Sequence, residues 1–283
     1  MPAIIHSAAQ WEGIRRAWEA AGETIALVPT MGALHAGHKA LVRAAEQEAD
    51  RVVVSIFVNP LQFGQGEDFD TYPRTLAADE AFLADTTVDV IFAPGVPEVY
   101  PAGLDAAPRI YAGPVGDVLE GHSRPGHFDG VLTVVHRLCE LVRPSVAVFG
   151  EKDAQQLFLI RQMVGDEKLP VRIVEVATVR DSDGLALSSR NAHLSAKERE
   201  HAQAIPQAWE RAQNAANARE AVAAVKEVLS LEPEISLDYV ALVDPDTFLT
   251  HSEDSLVSRG RIVLAVEIGQ TRLIDNRLLE FGQ

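Results

Sequence analysis

His35 and His38 stand in a His-x-Gly-His arrangement within Val28-Pro29-Thr30-Met31-Gly32-Ala33-Leu34-His35-Ala36-Gly37-His38, where an apolar run gives way to a helical pattern. Two imidazoles three residues apart fall roughly on one helical face. At a helix start they lie beside unpaired backbone N–H groups and the positive end of the helix dipole, a setting that attracts phosphate, and Gly32 and Gly37 let a ligand approach the backbone closely. Polar residues recur at comparable junctions in Asn59-Pro60-Leu61-Gln62-Phe63-Gly64, in Gly150-Glu151-Lys152-Asp153-Ala154-Gln155-Gln156, and in Leu187-Ser188-Ser189-Arg190-Asn191. His35, His38, Lys152, Ser188, Ser189 and Arg190 are donors of the kind that neutralise a triphosphate and the charge that grows as pyrophosphate departs. Arg190 can fork two phosphate oxygens, while Lys152 offers a compact point charge. Asn59, Gln62 and Gln156 carry neutral amides suited to the hydroxyl and carboxylate groups of a small polar substrate. Asp153 suits a ribose hydroxyl or a helix cap equally well. Taken singly, each residue also reads as a solvated charge, a turn residue or a hydrated amide; together they argue for phosphate chemistry without a protein nucleophile.

Several other chemistries lack their signatures. Gly32 and Gly37 have P-loop spacing, but Lys39 comes one position late and Ala40 follows it, so no P-loop forms. Gly64 and Gly66 open no helix directly after a strand, and Phe69 stands where a dinucleotide fingerprint needs its third glycine. His-Glu-x-x-His, paired cysteines and Gly-x-Ser-x-Gly are absent, which removes the usual marks of zinc hydrolysis and serine-ester chemistry. The net charge of -16 argues against broad binding to nucleic acid or anionic membrane, so an anionic ligand needs a local cluster of cations. Cys139 is the only cysteine, in an apolar helical pattern, which fits a small buried hydrophobe in a reducing cytosol. With no run of about 18 apolar residues and no charged-then-apolar N-terminal segment, neither a membrane span nor export is expected.

The elements that must position these residues alternate between strand and helix. Ser7 and Gln10 read as a capping box opening a helix that Gly22 stops. Strands are expected at Thr24 to Val28, Arg51 to Val58, Val88 to Ala93, Ser145 to Phe149 and Val171 to Val179. Helices are expected at Lys39 to Ala49, Thr75 to Asp85, Phe128 to Val142, and from Gly150 through Met163. The loop from Asn59 to about Pro73 is long enough to be functional, and Pro94 to Pro114 is irregular. This alternation implies an α/β protein with a doubly wound parallel sheet, whose strand C-termini gather distant segments at one edge. After the Asp181-Ser182-Asp183-Gly184 turn, helices at Ser195 to Asn214 and Ala218 to Leu231, strands at Leu237 to Val243 and Arg261 to Ile268, and a short tail suggest a smaller α+β domain. Residues 1–180 are read as the first domain and 181–283 as the second, a lid.

Pro29-Thr30-Met31-Gly32 with His35-x-Gly37-His38, Phe57-Val58-Asn59-Pro60-Leu61-Gln62-Phe63, Gly150-Glu151-Lys152-Asp153 with Gln155-Gln156, and Asp183-Gly184-Leu185-Ala186 with Ser188-Ser189-Arg190-Asn191 together resemble the pantothenate synthetase (pantoate-β-alanine ligase) family. The match runs in order over about residues 24 to 191 and continues more diffusely beyond. The resemblance implies a Rossmann-like fold of the nucleotidyltransferase group named for this histidine signature, and an ATP-dependent ligase joining (R)-pantoate to β-alanine through pantoyl adenylate. By analogy His38, His35, Lys152 and Arg190 are the catalytic group. The resemblance sets Met31, Gly32, His35, Gly37, His38, Gly150, Glu151, Lys152, Asp153, Val179, Leu187, Ser188, Ser189 and Arg190 around ATP, with Gly150, Asp153 and Val179 at adenosine. Met31, Asn59, Gln62 and Gln156 would hold pantoate and β-alanine. Mg²⁺ is implied with ATP, yet Asp79 and Asp153 give no clear ligand set, so no metal ligand is assigned. A homodimer in the cytoplasm, coenzyme A precursor synthesis, and no nucleic-acid or membrane partner complete the expectation. Ala154 and Leu187 depart from the Tyr and Met common in the family; neither is a phosphate donor. Another nucleotidyltransferase of the group, or a nucleotide-binding regulatory protein on the same fold, are the alternatives.

Overall fold

A computed structural model describes residues 1–64, 66–67, 69–252, 255 and 257–281. Gln65 and Asp68, in the loop expected to reach Pro73, lie outside the described residues. Two compact units are present: Met1–Glu151 with Leu159–Ala177, and Lys152–Phe158 with Thr178–Gln283. The short piece Lys152–Phe158 belongs with the second, a discontinuity that a boundary read along the chain has no means of expressing.

The first unit is built on β1 (Ala3–Ile5), α1 (Ala8–Ala20), β2 (Ile25–Thr30), α2 (Ala36–Glu48), β3 (Arg51–Ile56), α3 (Leu76–Leu83), β4 (Val90–Phe92), the one-turn helices α4 (Val96–Val99) and α5 (Glu120–Ser123), α6 (His127–Val142), β5 (Val146–Gly150) and β6 (Arg172–Val176). Its six strands run parallel in the order β1-β4-β3-β2-β5-β6. Continuous apolar runs such as Val52-Val53-Val54 suit strands buried on both faces, and those three residues are indeed inaccessible. β1 escapes the sequence reading because three residues carry no periodic signal; it pairs with β4 from Ala3 to Ile5. Pro144 follows α6 and the left-handed Arg143 closes that helix. Cys139 is buried on α6, and burial pushes its thiol up to about 12.

Strand order reverses between β2 and β5, which is where open parallel sheets bind ligands. The geometry there is specific. β2 keeps register with β3 through Thr30 but with β5 only at Ala26 and Leu27. Pro29, which cannot donate to a ladder, therefore lies beyond the stretch paired with β5. Pairing between β2 and β5 thus ends at Leu27 and Ala147, short of the C-terminal end of each strand.

The second unit contains α8 (Ala196–Ala202), α9 (Ala204–Gln213), α10 (Ala218–Ser230), and an antiparallel sheet of β7 (Ile235–Val243), β8 (Arg259–Ile268) and β9 (Thr271–Glu280). α7 (Ala154–Asp166) begins in this unit at Ala154 and continues into the first from Leu159. The single helix expected over Ser195 to Asn214 is broken at Gln203. Pro206 has no N–H to offer the Ala202 carbonyl, so α8 and α9 meet as separate pieces. The expected tail is β9, joined to β8 by Gly269-Gln270, with Gly269 at φ +59°. Its polar Asp275 and Asn276 masked the strand in the sequence. Among the described residues no helix is long and apolar enough to cross a membrane.

Candidate active site

The His-x-Gly-His segment caps α2 at the strand-order reversal. His35 is the N-cap, with extended backbone, and its Nδ1 accepts from the Gly37 amide at 3.1 Å. The His35 amide in turn donates to His38 Nδ1 at 3.2 Å. The two residues thus form a reciprocal capping box made of imidazoles. A backbone N–H can only donate, so each Nδ1 is the unprotonated nitrogen and each neutral ring carries its proton on Nε2. The rings lie 4.1 Å apart at 47°. This arrangement presents paired Nε2–H groups, the form suited to gripping phosphate oxygens.

The backbone amides leading into the helix behave differently from the sequence expectation of a main-chain phosphate cradle. Gly32 at φ +88° and Ala33 at φ +50° turn the chain so that the Ala33 and Leu34 amides converge on one carboxylate. That carboxylate is Asp79 on α3, accepting from Leu34 at 2.7 Å, from Ala33 at 3.2 Å and from the Thr75 hydroxyl at 3.2 Å. Asp79 is 2% exposed. Its oxygens brace the loop, a role that sequence reasoning missed and that sets Asp79 apart from metal binding. The amides of Ala33, Leu34, His35 and Gly37 all donate within the protein. No spacing rule links Asp79 to His35; only the α3 packing reveals it.

Asn59, Gln62 and Met31 come together at the ends of β2 and β3. Asn59 is fully buried, and its amide has four partners: Nδ2 donates to Gly130 O at 3.0 Å and Gln62 Oε1 at 3.2 Å, while Oδ1 accepts from the Tyr100 hydroxyl at 2.9 Å and the Leu61 amide at 3.3 Å. Asn59 therefore holds the loop from behind. Gln62 Nε2 reaches Met31 Sδ at 3.2 Å, so two residues expected to line one pocket touch each other. Burial raises the Tyr100 phenol well above its ordinary range, keeping it a donor to Asn59. α6 closes on this loop at Gly130, where an added methyl group would lie 2.1 Å from the Leu61 carbonyl oxygen.

A second layer fixes Gln62 through its backbone. His127 Nδ1 bonds the Gln62 carbonyl at 2.9 Å, and Arg124 Nη1 lies 3.1 Å from His127 Nε2. A guanidinium only donates, so Nε2 accepts and Nδ1 carries the proton. Burial, reinforced by the Arg124 charge, pushes the His127 pKa down to about 4. Arg124 also forks Glu67 at 2.7 and 2.9 Å. Burial raises the Glu67 carboxyl, but the Arg124 hydrogen bonds and charge outweigh it and hold the group below its usual value. Leu61, Gln62, Phe63, Arg109, Pro125, Gly126, His127 and Asp129 line a cavity of about 280 Å³ beside this loop.

Gly150 ends β5 and Glu151 follows, on the other side of the reversal from β2. In the second unit, Lys152 lies in the 3₁₀ turn Glu151–Asp153, with its Nζ 3.7 Å from Asp153 Oδ1. Gln156 follows on the first turn of α7, and Ala154 is buried beside it in sequence. Val179 and Leu187 are joined by a 2.9 Å backbone bond across a hairpin whose tip is Asp181 to Gly184. Arg199 pairs with both Asp181 and Asp183, and Arg180 with Asp275, so the hairpin is braced at both faces. Ser188 caps the 3₁₀ turn Ser189–His193, its hydroxyl accepting from the Arg190 amide at 3.3 Å. Among the described residues no group of three His, Cys, Asp or Glu side chains could hold a metal ion.

A parallel sheet reversing between β2 and β5, with a His-x-Gly-His helix start at the reversal, defines a Rossmann-type α/β fold with its candidate site at the switch point. The family model of pantoate-β-alanine ligase matches residues 3–278, and the chain belongs to that family. It is 51% identical over 269 residues to the pantothenate synthetase of Acidothermus cellulolyticus, covering 93% of this chain and 88% of that one. The Thermobifida fusca pantothenate synthetase is 53% identical, with 89% and 88% covered. Among solved structures, pantothenate synthetase from Thermus thermophilus superposes with TM-score 0.89 at 45% identity, covering 97% of this chain and 98% of that one. A pantoate-β-alanine ligase from Francisella tularensis, solved with β-γ ATP and β-alanine, gives TM-score 0.81 at 38% identity, with 98% of both chains covered.

Proposed function

We propose that the chain is an ATP-dependent, AMP-forming ligase that condenses (R)-pantoate with β-alanine to give pantothenate. The observation that carries this reading is the imidazole capping box at the strand-order reversal, in a chain of this family. In the first step a pantoate carboxylate oxygen attacks the α-phosphorus of ATP, the bond to the bridging oxygen breaks, and pyrophosphate leaves with its electron pair. In the second, the free amine of β-alanine attacks the acyl carbon, AMP leaves, and the amine proton passes to solvent. The substrates supply both nucleophiles, so the protein's task is to position and to polarise.

His35 and His38 direct Nε2–H groups at phosphate oxygens, and Lys152, Ser188, Ser189 and Arg190 stabilise the charge that develops as pyrophosphate departs. Met31, Gly32, Gly37, Glu151 and Leu187 complete the ATP surface, with Gly150, Asp153 and Val179 at adenosine. Gln62 and Gln156 hold the pantoate hydroxyl and carboxylate groups, with Met31 against its apolar side. Asn59 sets the height of that loop. Asp79 accepts from backbone amides and Asp153 lies 3.7 Å from Lys152, and among the described residues no group of three His, Cys, Asp or Glu could hold a metal ion; Mg²⁺ would come with the phosphates of ATP. A cytoplasmic homodimer is the expected assembly, and light scattering of the purified chain tests its dimeric state.

The deciding assay is pyrophosphate release from ATP with pantoate alone, followed by AMP and pantothenate on adding β-alanine. Pyrophosphate release with a different acid but none with pantoate would overturn the substrate assignment.

A further inference from the structure

β9 carries two consecutive buried polar residues, Asp275 and Asn276, and each ties down a different segment that bears a cation. The Asn276 side chain bridges two groups of opposite hydrogen-bonding character. Arg261 donates to its Oδ1, and its Nδ2 donates to the carbonyl oxygen of Lys152 at 2.9 Å. A guanidinium can only donate and a carbonyl can only accept, so the amide has one allowed orientation. Asp275 takes Arg180 at 2.7 and 3.0 Å, the Trp209 indole N–H at 2.8 Å and the Asn276 amide at 2.8 Å, which anchors the hairpin leading to Ser188–Arg190.

Lys152 needs such an anchor. It lies in a three-residue 3₁₀ turn, whose own hydrogen bonding is weak, at the end of a strand and before the first turn of α7. Its ammonium sits on a flexible four-carbon stem, so the location of its charge is set first by where its backbone is held. The Asn276 bond fixes that backbone from a strand whose neighbour β8 is almost wholly buried. We propose that Asn276 is a positioning residue for Lys152, placing the ammonium for charge stabilisation during adenylation; this rests on the assignment of Lys152 as a triphosphate donor. Misplacement of a charged group by about 1 Å can lower a rate by about a hundredfold, so a backbone shift at Lys152 is catalytically large.

Asn276→Asp tests this with little change of shape. The carboxylate still accepts from Arg261, but sets an oxygen against the Lys152 carbonyl where a donor stood. Asn276→Ser, which removes both bonds without adding charge, is the second variant. Each is compared in the wild-type and Lys152→Ala backgrounds by pyrophosphate release with pantoate and ATP, with thermal unfolding as the fold control. The expected result is a fall of about tenfold or more in kcat, exceeding any rise in KM for ATP, in each Asn276 variant that folds, and no further loss when Lys152 is already Ala. Equal losses in both backgrounds, or full kcat in a folded variant that lacks the bond, would overturn the positioning role; so would loss of folding in both variants, because Asn276 would then serve the fold. Wild-type adenylation by Lys152→Ala alone would instead remove the assignment on which the proposal stands.

Discussion

Acidification should loosen the first unit through His127. The folded ring donates from Nδ1 to the Gln62 carbonyl and accepts at Nε2 from Arg124, so it has no place for a second proton. Burial and the neighbouring guanidinium take its pKa from 6.5 to about 4. Between those values the unfolded chain binds a proton that the folded chain refuses. The stabilisation is therefore complete above the unfolded pKa and is lost as pH falls toward the folded one. Linkage gives a loss of about 2 kcal/mol on going from about pH 7.5 to about pH 5. Glu67, held below its ordinary value, adds to the same trend at more acidic pH. Urea unfolding of wild type and His127→Asn at the two pH values isolates the histidine, because Asn keeps a donor near the Nδ1 position and does not titrate. The variant should be less stable at neutral pH and show an acid loss smaller by about 2 kcal/mol. An identical acid loss in the two proteins would refute the buried, neutral assignment.

Three further substitutions address the site. His38→Ala removes an Nε2–H donor and one side of the capping box, and should slow adenylation by well over about tenfold while lowering stability by about 1 kcal/mol; turnover near wild type in the pyrophosphate assay would remove His38 from the chemistry. Asp79→Asn sets an amide N–H₂ among backbone donors, and thermal and urea unfolding should show a loss of about 1–3 kcal/mol together with slower adenylation. Unchanged stability would contradict the bracing geometry. Gly130→Ala drives a methyl group into the Leu61 carbonyl, so the Gln62 loop must shift, and the KM for pantoate should rise more than that for ATP; equal changes in both would mean that the loop does not contact pantoate.

The parallel sheet was legible in the sequence because strands buried on both faces read as apolar runs, as Val52-Val53-Val54 does in β3. β9 was not legible. Its buried positions include Asp275 and Asn276, whose burial makes sense only once Arg180, Trp209, Arg261 and the Lys152 carbonyl are seen around them. The broken helix was legible in principle, since Pro206 lies four residues after Ala202, but the Ala-rich pattern on either side concealed it. At the candidate site, motif spacing identified His35, His38 and Gln62 as polar groups at strand ends. It could not distinguish a side chain facing a ligand from one facing the loop behind, so the four protein partners of Asn59 and the bracing role of Asp79 were not legible. Partners such as Arg124 and His127 lie about sixty residues from Gln62 in sequence and enter only through the packing of the segment from the end of α5 to the start of α6.

The imidazole capping box also limits how the protein can be engineered. At most helix starts an N-cap is a free choice, and replacing a weak cap by Ser or Asp is a routine way to gain stability. At position 35 a shorter cap would keep the Gly37 hydrogen bond but remove the Nε2–H, while a longer donor such as Lys would supply an N–H and lose the cap. At position 38 the same conflict applies, because its Nδ1 serves the neighbouring backbone. Thermostable variants of this enzyme should therefore accumulate their changes elsewhere, and a screen for heat resistance alone would select against activity at these two sites.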